Sequence, residues 1–304
     1  MARTYADAET ERPSWRRFAD FPLVALVIAV ALFIGAVAAA TMIGGQLPFA
    51  GDSIEGLALR SAITIACGVA VYKLAIARLG EKPRDELLAR RAPRELGAGL
   101  LIGAVLFAII VGVAAIADVY NIVGPGGTGT LLTVLIAAAI VPGVMEEILF
   151  RGILFRWLEQ LAGSWAALIL TSLLFGLAHI MNPNATWFSS FAIAVEAGLL
   201  LGGAYMLTRS LWMPIGLHAA WNFTQGFIFD VPVSGLDQDG LVEAQLSGPV
   251  LLSGGTFGLE ASVIALVIAA AAGAWLVRLA VRRGELMQPW WVVRARRTQV
   301  VRDS

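Results

Sequence analysis

Two histidines stand among 304 residues, His179 and His218, and each sits in a short pattern of residues able to move protons. Glu146-Glu147 is followed by Arg151, Phe175 precedes His179 by four positions, and His218 precedes Asn222 by four. Residues four apart share a helix face. Arg151 can therefore pair with Glu147, the Phe175 ring can pack beside the His179 imidazole, and His218 and Asn222 can reach one cavity. Glu146 is turned about 100° from Glu147 and is free to face elsewhere. A carboxylate, two imidazoles and a carboxamide in a dry cavity suit hydrolysis. The carboxylate acts as general base on a water, and one imidazole orients that water. The Asn amide and the second imidazole donate hydrogen bonds to the oxyanion that develops. No Ser or Cys nucleophile is embedded in these patterns. The single cysteine, Cys67, lies apart from them, reads as a small core residue, and cannot form an internal disulfide or a CxxC site.

The elements that must position these groups are membrane spans. Hydrophobic residues make up 58% of the chain and charged residues 14%, against about 45–50% and about 25% in a soluble domain. The mean hydropathy is +0.78. That balance excludes a soluble globular protein and a disordered one. Lys+Arg 22 against Asp+Glu 22 gives net +0, so no basic field points to nucleic acid. Eight stretches approach the ~20 apolar residues a spanning helix needs. They are Phe21–Ile43, Leu57–Leu79, Leu96–Ala117, Leu131–Phe150, Ser164–Ile180, Phe188–Thr208, Leu211–Phe229 and Phe257–Ala280. The first reads as an uncleaved span, its apolar run being too long for a signal peptide.

Basic residues give the orientation. Arg3, Arg12, Arg16 and Arg17 precede the first span. Lys82, Arg84, Arg90, Arg91 and Arg94 lie between the second and third, Arg151 and Arg156 follow the fourth, and Arg209 lies between the sixth and seventh. Arg278, Arg282, Arg283, Arg294, Arg296, Arg297 and Arg302 close the chain. The alternate connections, around 44–56, 118–130, 181–187 and 230–256, hold no Lys or Arg and instead carry Asp52, Glu55, Asp237, Asp239 and Glu243. Both termini are therefore expected in the cytoplasm. The GxxxG patterns at Gly99–Gly103 and Gly198–Gly202 read as close helix packing.

Ionisable side chains at membrane depth are functional candidates. Here they are Glu146, Glu147, His179, Glu196 and His218, with Glu196 a candidate lining residue of the same cavity as Phe175. If the fourth helix runs on through Arg151–Gln160 and turns near Gly163, Glu146 is 17 residues before the turn (163 − 146) and His179 is 16 after it (179 − 163). The two are then level. His218, 9 residues beyond Arg209 (218 − 209), meets them, and the meeting point is expected in the cytoplasmic half of the membrane.

Glu146-Glu147-x-x-x-Arg151, Phe175-x-x-x-His179 and His218-x-x-x-Asn222 resemble, in order, the three motifs of the CAAX prenyl protease and bacteriocin-processing family, also called the Abi family. That group is similar to the type II CAAX endopeptidases. The resemblance runs roughly from Leu131 to Gly226. It implies an all-α intramembrane glutamate protease of eight helices with a cavity open to the cytoplasm. It further implies that Glu146 and His179 activate water, that His218 and Asn222 form the oxyanion site, and that Glu147 and Arg151 support them. No metal and no cofactor is implied.

The expected organisation is a cytoplasmic segment over 1–20, N-terminal transmembrane helices over 21–130 and a catalytic helical core over 131–226. An external loop, a last span and a basic tail occupy 227–304. The expected activity is hydrolysis of a peptide bond in a membrane-associated substrate, including prenylated CAAX-type peptides. The alternatives are a metal-dependent membrane hydrolase built on Glu146, His179 and His218, and a non-catalytic scaffold, immunity or regulatory protein. Expected partners are membrane lipid and a membrane-associated peptide, and the expected location is a bacterial inner membrane. Oligomeric state is not legible.

Overall fold

The computed structural model describes residues 13–47, 53–80 and 83–295. Arg3, Arg12, Asp52, Lys82, Arg296, Arg297 and Arg302 lie outside the described residues.

After a short helix at Ser14–Ala19, the long helices are α1 (Pro22–Gly45), α2 (Ile54–Leu74) and α3 (Ala92–Ile116). Helix α4 is a run of α and wider π winding over Leu131–Thr133, Val134–Ile140, Val141–Glu147 and Ile148–Phe155. It leads without a break into α5 (Arg156–Ala178). Then come α6 (Trp187–Thr208), α7 (Trp212–Phe223, ending in a π turn at Thr224–Ile228) and α8 (Val263–Arg282).

Local chemistry sets the starts of several of these. Pro22 and Pro93 occupy first-turn positions, where the missing N–H is no loss. Ser53 and Ser262 cap α2 and α8 through their hydroxyls. Thr186 and Ser189 form a reciprocal capping box on α6.

Among the described residues, six helical runs are long and apolar enough to cross a membrane, and the chain is an integral membrane protein. One of the six, Leu131–Met181, covers 51 residues. It bends at Gly163, whose φ of 85° and ψ of 166° lie outside helical space and at positive φ, where only glycine sits without strain. The Phe150 and Phe175 rings meet at 4.8 Å across that corner, so α4 and α5 run back against each other. The turn expected near Gly163 is present. Outward faces stay apolar: Ile116 is 90% and Leu101 66% exposed, as contact with lipid hydrocarbon requires.

The expected GxxxG packing is present. A side chain at Gly99 or Gly103 would collide with the α7 backbone at Met213 and Leu217, so α3 and α7 touch main chain to main chain. Gly198 and Gly202 likewise admit Ser172 and Leu168 of α5.

Among the described residues, the fold departs from all-α in a two-stranded ribbon and an isolated bridge between Val233 and Leu236. Strands β1 (Tyr120–Pro125) and β2 (Val242–Leu246) pair antiparallel, with a bulge between Ile122 and Gly124. Alternation over so few residues is hidden by the turn-rich loops around it. The Asp230 carboxylate fixes this ribbon by accepting from the Gly240 and Ala244 N–H groups, at 2.8 and 2.9 Å. The ribbon holds the connection 229–262 down onto the helix ends.

Candidate active site

A cavity with about 420 Å³ of empty space lies between α5, α6 and α7 under that connection. Its walls include Phe175, His179, Glu196, His218, Asn222, Ser234 and Glu260. Both histidines and the motif Asn therefore meet, as their spacing requires. Glu147 and Arg151 stand behind the wall, fully buried. Glu146 is half-buried and is not among the lining residues, but it is close enough to Arg151 and His218 for its charge to act on both. One of its oxygens, Oε2, is enclosed without a hydrogen-bond partner.

Each imidazole has one nitrogen committed. His179 Nδ1 lies 2.7 Å from the Phe175 carbonyl. A carbonyl only accepts, so Nδ1 carries the proton and Nε2 keeps its lone pair. His218 Nδ1 lies 2.9 Å from Glu147 Oε1, and the same oxygen takes Arg151 Nη1 at 2.9 Å. Arg151 also reaches the Ala197 carbonyl at 3.2 Å and lies over the Phe175 ring at 4.8 Å. That ring stands 4.8 Å from His179 and 6.1 Å from His218, a wedge that keeps the imidazoles apart. The expected Glu147–Arg151 pair and the Phe175–His179 contact are thus both present. Asn222 spends one N–H on the Ala138 carbonyl of α4 at 2.8 Å, which leaves the other N–H and its oxygen for the cavity.

Two wall residues come from a stretch that motif reasoning passed over. Glu260 precedes α8 and accepts the Ser234 backbone N–H. Burial pushes its carboxyl up to about 7, against hydrogen bonds from Ser234 and Gln225 that lower it. Ser234 is held in turn by Asn182, which donates to its carbonyl at 3.2 Å. The signal was available: Glu260 is an acidic residue inside a stretch read as a span, the criterion that found Glu196. Cys67 sits half-buried on α2, outside the cavity walls.

The cavity lies inside the bundle, between its basic end and the connection 229–262. His179 ends α5 16 residues from Gly163 (179 − 163), about 24 Å along the axis. Gly163 itself lies against Met287 and Pro289, beside the Arg209–Glu159 and Arg209–Glu285 pairs. The cavity roof, Ser234 and Glu260, belongs to the connection without Lys or Arg. The walls thus reach from that connection to within about 13 Å of the basic end along α7, where His218 lies 9 residues past Arg209 (218 − 209).

Among the described residues, no group of three His, Cys, Asp or Glu side chains is placed to hold a metal ion. Residues 127–224 match the family described as type II CAAX prenyl endopeptidase Rce1-like. The match covers all three motifs and bears out the resemblance read from them. No curated protein and no solved structure matches the chain.

Proposed function

We propose that the chain is an intramembrane endopeptidase that cuts a membrane-anchored peptide, prenylated CAAX-type peptides included, with a water held between Glu146 and His179. The observation that carries this reading is the convergence of His179, His218 and Asn222 on one cavity within the segment that matches a peptidase family. The Phe150–Phe175 contact sets the register of α4 against α5, and 150 + 175 equals 146 + 179, so Glu146 is level with His179. The Nε2 lone pair of His179 can accept from the water while Glu146 takes its proton as the oxygen attacks the scissile carbonyl. The carbonyl oxygen then becomes an oxyanion. Asn222 has one N–H to offer it. His218 can donate only from Nε2, because Nδ1–H is held by Glu147, so the donating form is the imidazolium, whose charge Glu147 balances. The proton on Glu146 passes to the departing amine as the bond breaks.

With the arginine-rich connections and both termini in the cytoplasm of a bacterial inner membrane, the cavity reaches from mid-bilayer, at His218, to the outer connection that carries Ser234 and Glu260. We read the substrate as entering from that side, which reverses the cytoplasmic mouth implied by the resemblance. The test is cleavage of farnesylated peptides by purified protein in detergent, with Glu146→Gln alongside. Cleavage lost in Glu146→Gln, with the fold retained, supports the reading. Full activity in that variant overturns it.

A further inference from the structure

The cavity wall facing the motif residues carries two carboxylates, Glu196 on α6 and Glu260 ahead of α8. They are 2% and 4% exposed, and each lies in the other's field. Glu260 is anchored by the Ser234 N–H. Glu196 is different: its Oε2 is enclosed and has no hydrogen-bond partner. Among the described residues, no lysine or arginine forms an ion pair with either. Of the cationic groups around the cavity, Arg151 is committed to Glu147 and the Ala197 carbonyl, and His218, whose charge also acts on Glu260, is committed to Glu147 through Nδ1.

A buried carboxyl without a partner is unfavourable. At membrane depth such groups persist where they serve a ligand. We propose that Glu196 and Glu260 form an acidic subsite that receives a cationic side chain of the peptide substrate, Lys or Arg, next to the scissile bond. An ammonium offers three donors on a flexible stem and a guanidinium five in a planar fork. The Glu196 and Glu260 carboxyl groups, both on the cavity wall, are the acceptors. The methylene stem has Ile193, Leu200 and Leu201 to pack against. A neutral side chain there leaves Glu196 without a donor, which is how a polar pocket rejects a ligand lacking the matching group.

This inference rests on the proteolytic reading, and the experiment separates the two. Farnesylated peptides carrying lysine or norleucine at each position flanking the bond are measured in detergent in two ways. Cleavage is followed with the wild-type chain, and binding by fluorescence anisotropy with Glu146→Gln. The lysine peptide is expected to be preferred by about tenfold or more at one position, the size of a charge-assisted hydrogen bond. In Glu196→Gln and in Glu260→Gln that preference falls to about twofold or less. Equal handling of lysine and norleucine at every position, or a preference that survives both substitutions, overturns the subsite. Selective binding without any cleavage supports the subsite and overturns proteolysis; cleavage without selectivity does the reverse. Glu196→Gln removes no hydrogen bond at Oε2, so it keeps the test open if Glu260→Gln fails to fold.

Discussion

Two polar clusters share one apolar bundle, and they are satisfied to different degrees. At the basic end, Glu86 takes the Tyr72 hydroxyl at 2.9 Å, the Tyr205 hydroxyl at 2.7 Å and Arg84 at 3.5 Å. Glu159 takes the Ser164 hydroxyl and Arg209 at 2.6 Å. Every oxygen of these two carboxylates has a donor. Around the cavity, Glu146, Glu147 and Glu196 each keep an enclosed Oε2 with none. The first arrangement is how a fold buries charge without losing stability. The second is how a site keeps acceptors ready for something that arrives. Burial alone does not tell them apart, because Glu86, Glu147, Glu159 and Glu196 are all buried. Among these four carboxylates, completeness of partnering does.

Substitutions at the two ends should therefore fail in different currencies, rate at one and stability at the other. Glu146→Gln is expected to cut peptide turnover by about 10²–10⁴-fold, the usual contribution of a general base, with the thermal transition unchanged. Glu86→Ala should do the opposite. It strands two tyrosine hydroxyls and a guanidinium, and denaturant unfolding should record a loss of about 3–5 kcal/mol. Equal damage to fold and turnover in both variants would erase the contrast.

A third substitution tests the scaffold between them. Gly103→Ala forces α3 and α7 apart, and overpacking of this kind costs about 1–3 kcal/mol, with His218 and Asn222 displaced as α7 shifts. The smallest effect is one of pH. Glu260 sits at about 7 against an ordinary 4.5, so the folded state holds its proton more tightly than the unfolded state. Stability is then greatest below about 4.5 and falls as pH rises toward 7. Glu260→Gln should flatten that slope when thermal unfolding is compared at about pH 5 and about pH 8.

A topology test sharpens the comparison in space. In a Cys67→Ser background, Met181→Cys at the cavity end and Arg283→Cys at the basic end should react with an impermeant maleimide from opposite sides of the membrane. Labelling of Met181→Cys from the cytoplasm would return the cavity mouth to the side the resemblance implies.

Much of this was legible in the sequence because helical period and hydrocarbon thickness are short-range constraints. The pairs Glu147–Arg151 and Phe175–His179 are single-turn neighbours, and Gly163 follows the amphipathic stretch Arg151–Gln160, where a corner is needed. The ribbon was not legible: Tyr120–Pro125 and Val242–Leu246 are far apart in the chain, and neither carries a strong alternation. The same distance hid Ser234, which reaches the cavity because the ribbon and Asp230 fold its loop inward, whereas Glu260 carried the signal of an acidic residue in an apolar stretch.

The wide turns of α4 have a consequence for how this helix tolerates change in length. Val141–Glu147, the segment that aims both glutamates, is bracketed by π winding on either side. A π turn holds a surplus residue relative to α winding, so one amino acid removed from Val134–Ile140 or Ile148–Phe155 can be absorbed with the flanks still in phase. One removed from inside the bracket rotates what lies beyond it by about 100°. The aim of the carboxylates is thereby insulated from insertions and deletions next door, and vulnerable only within seven residues of its own.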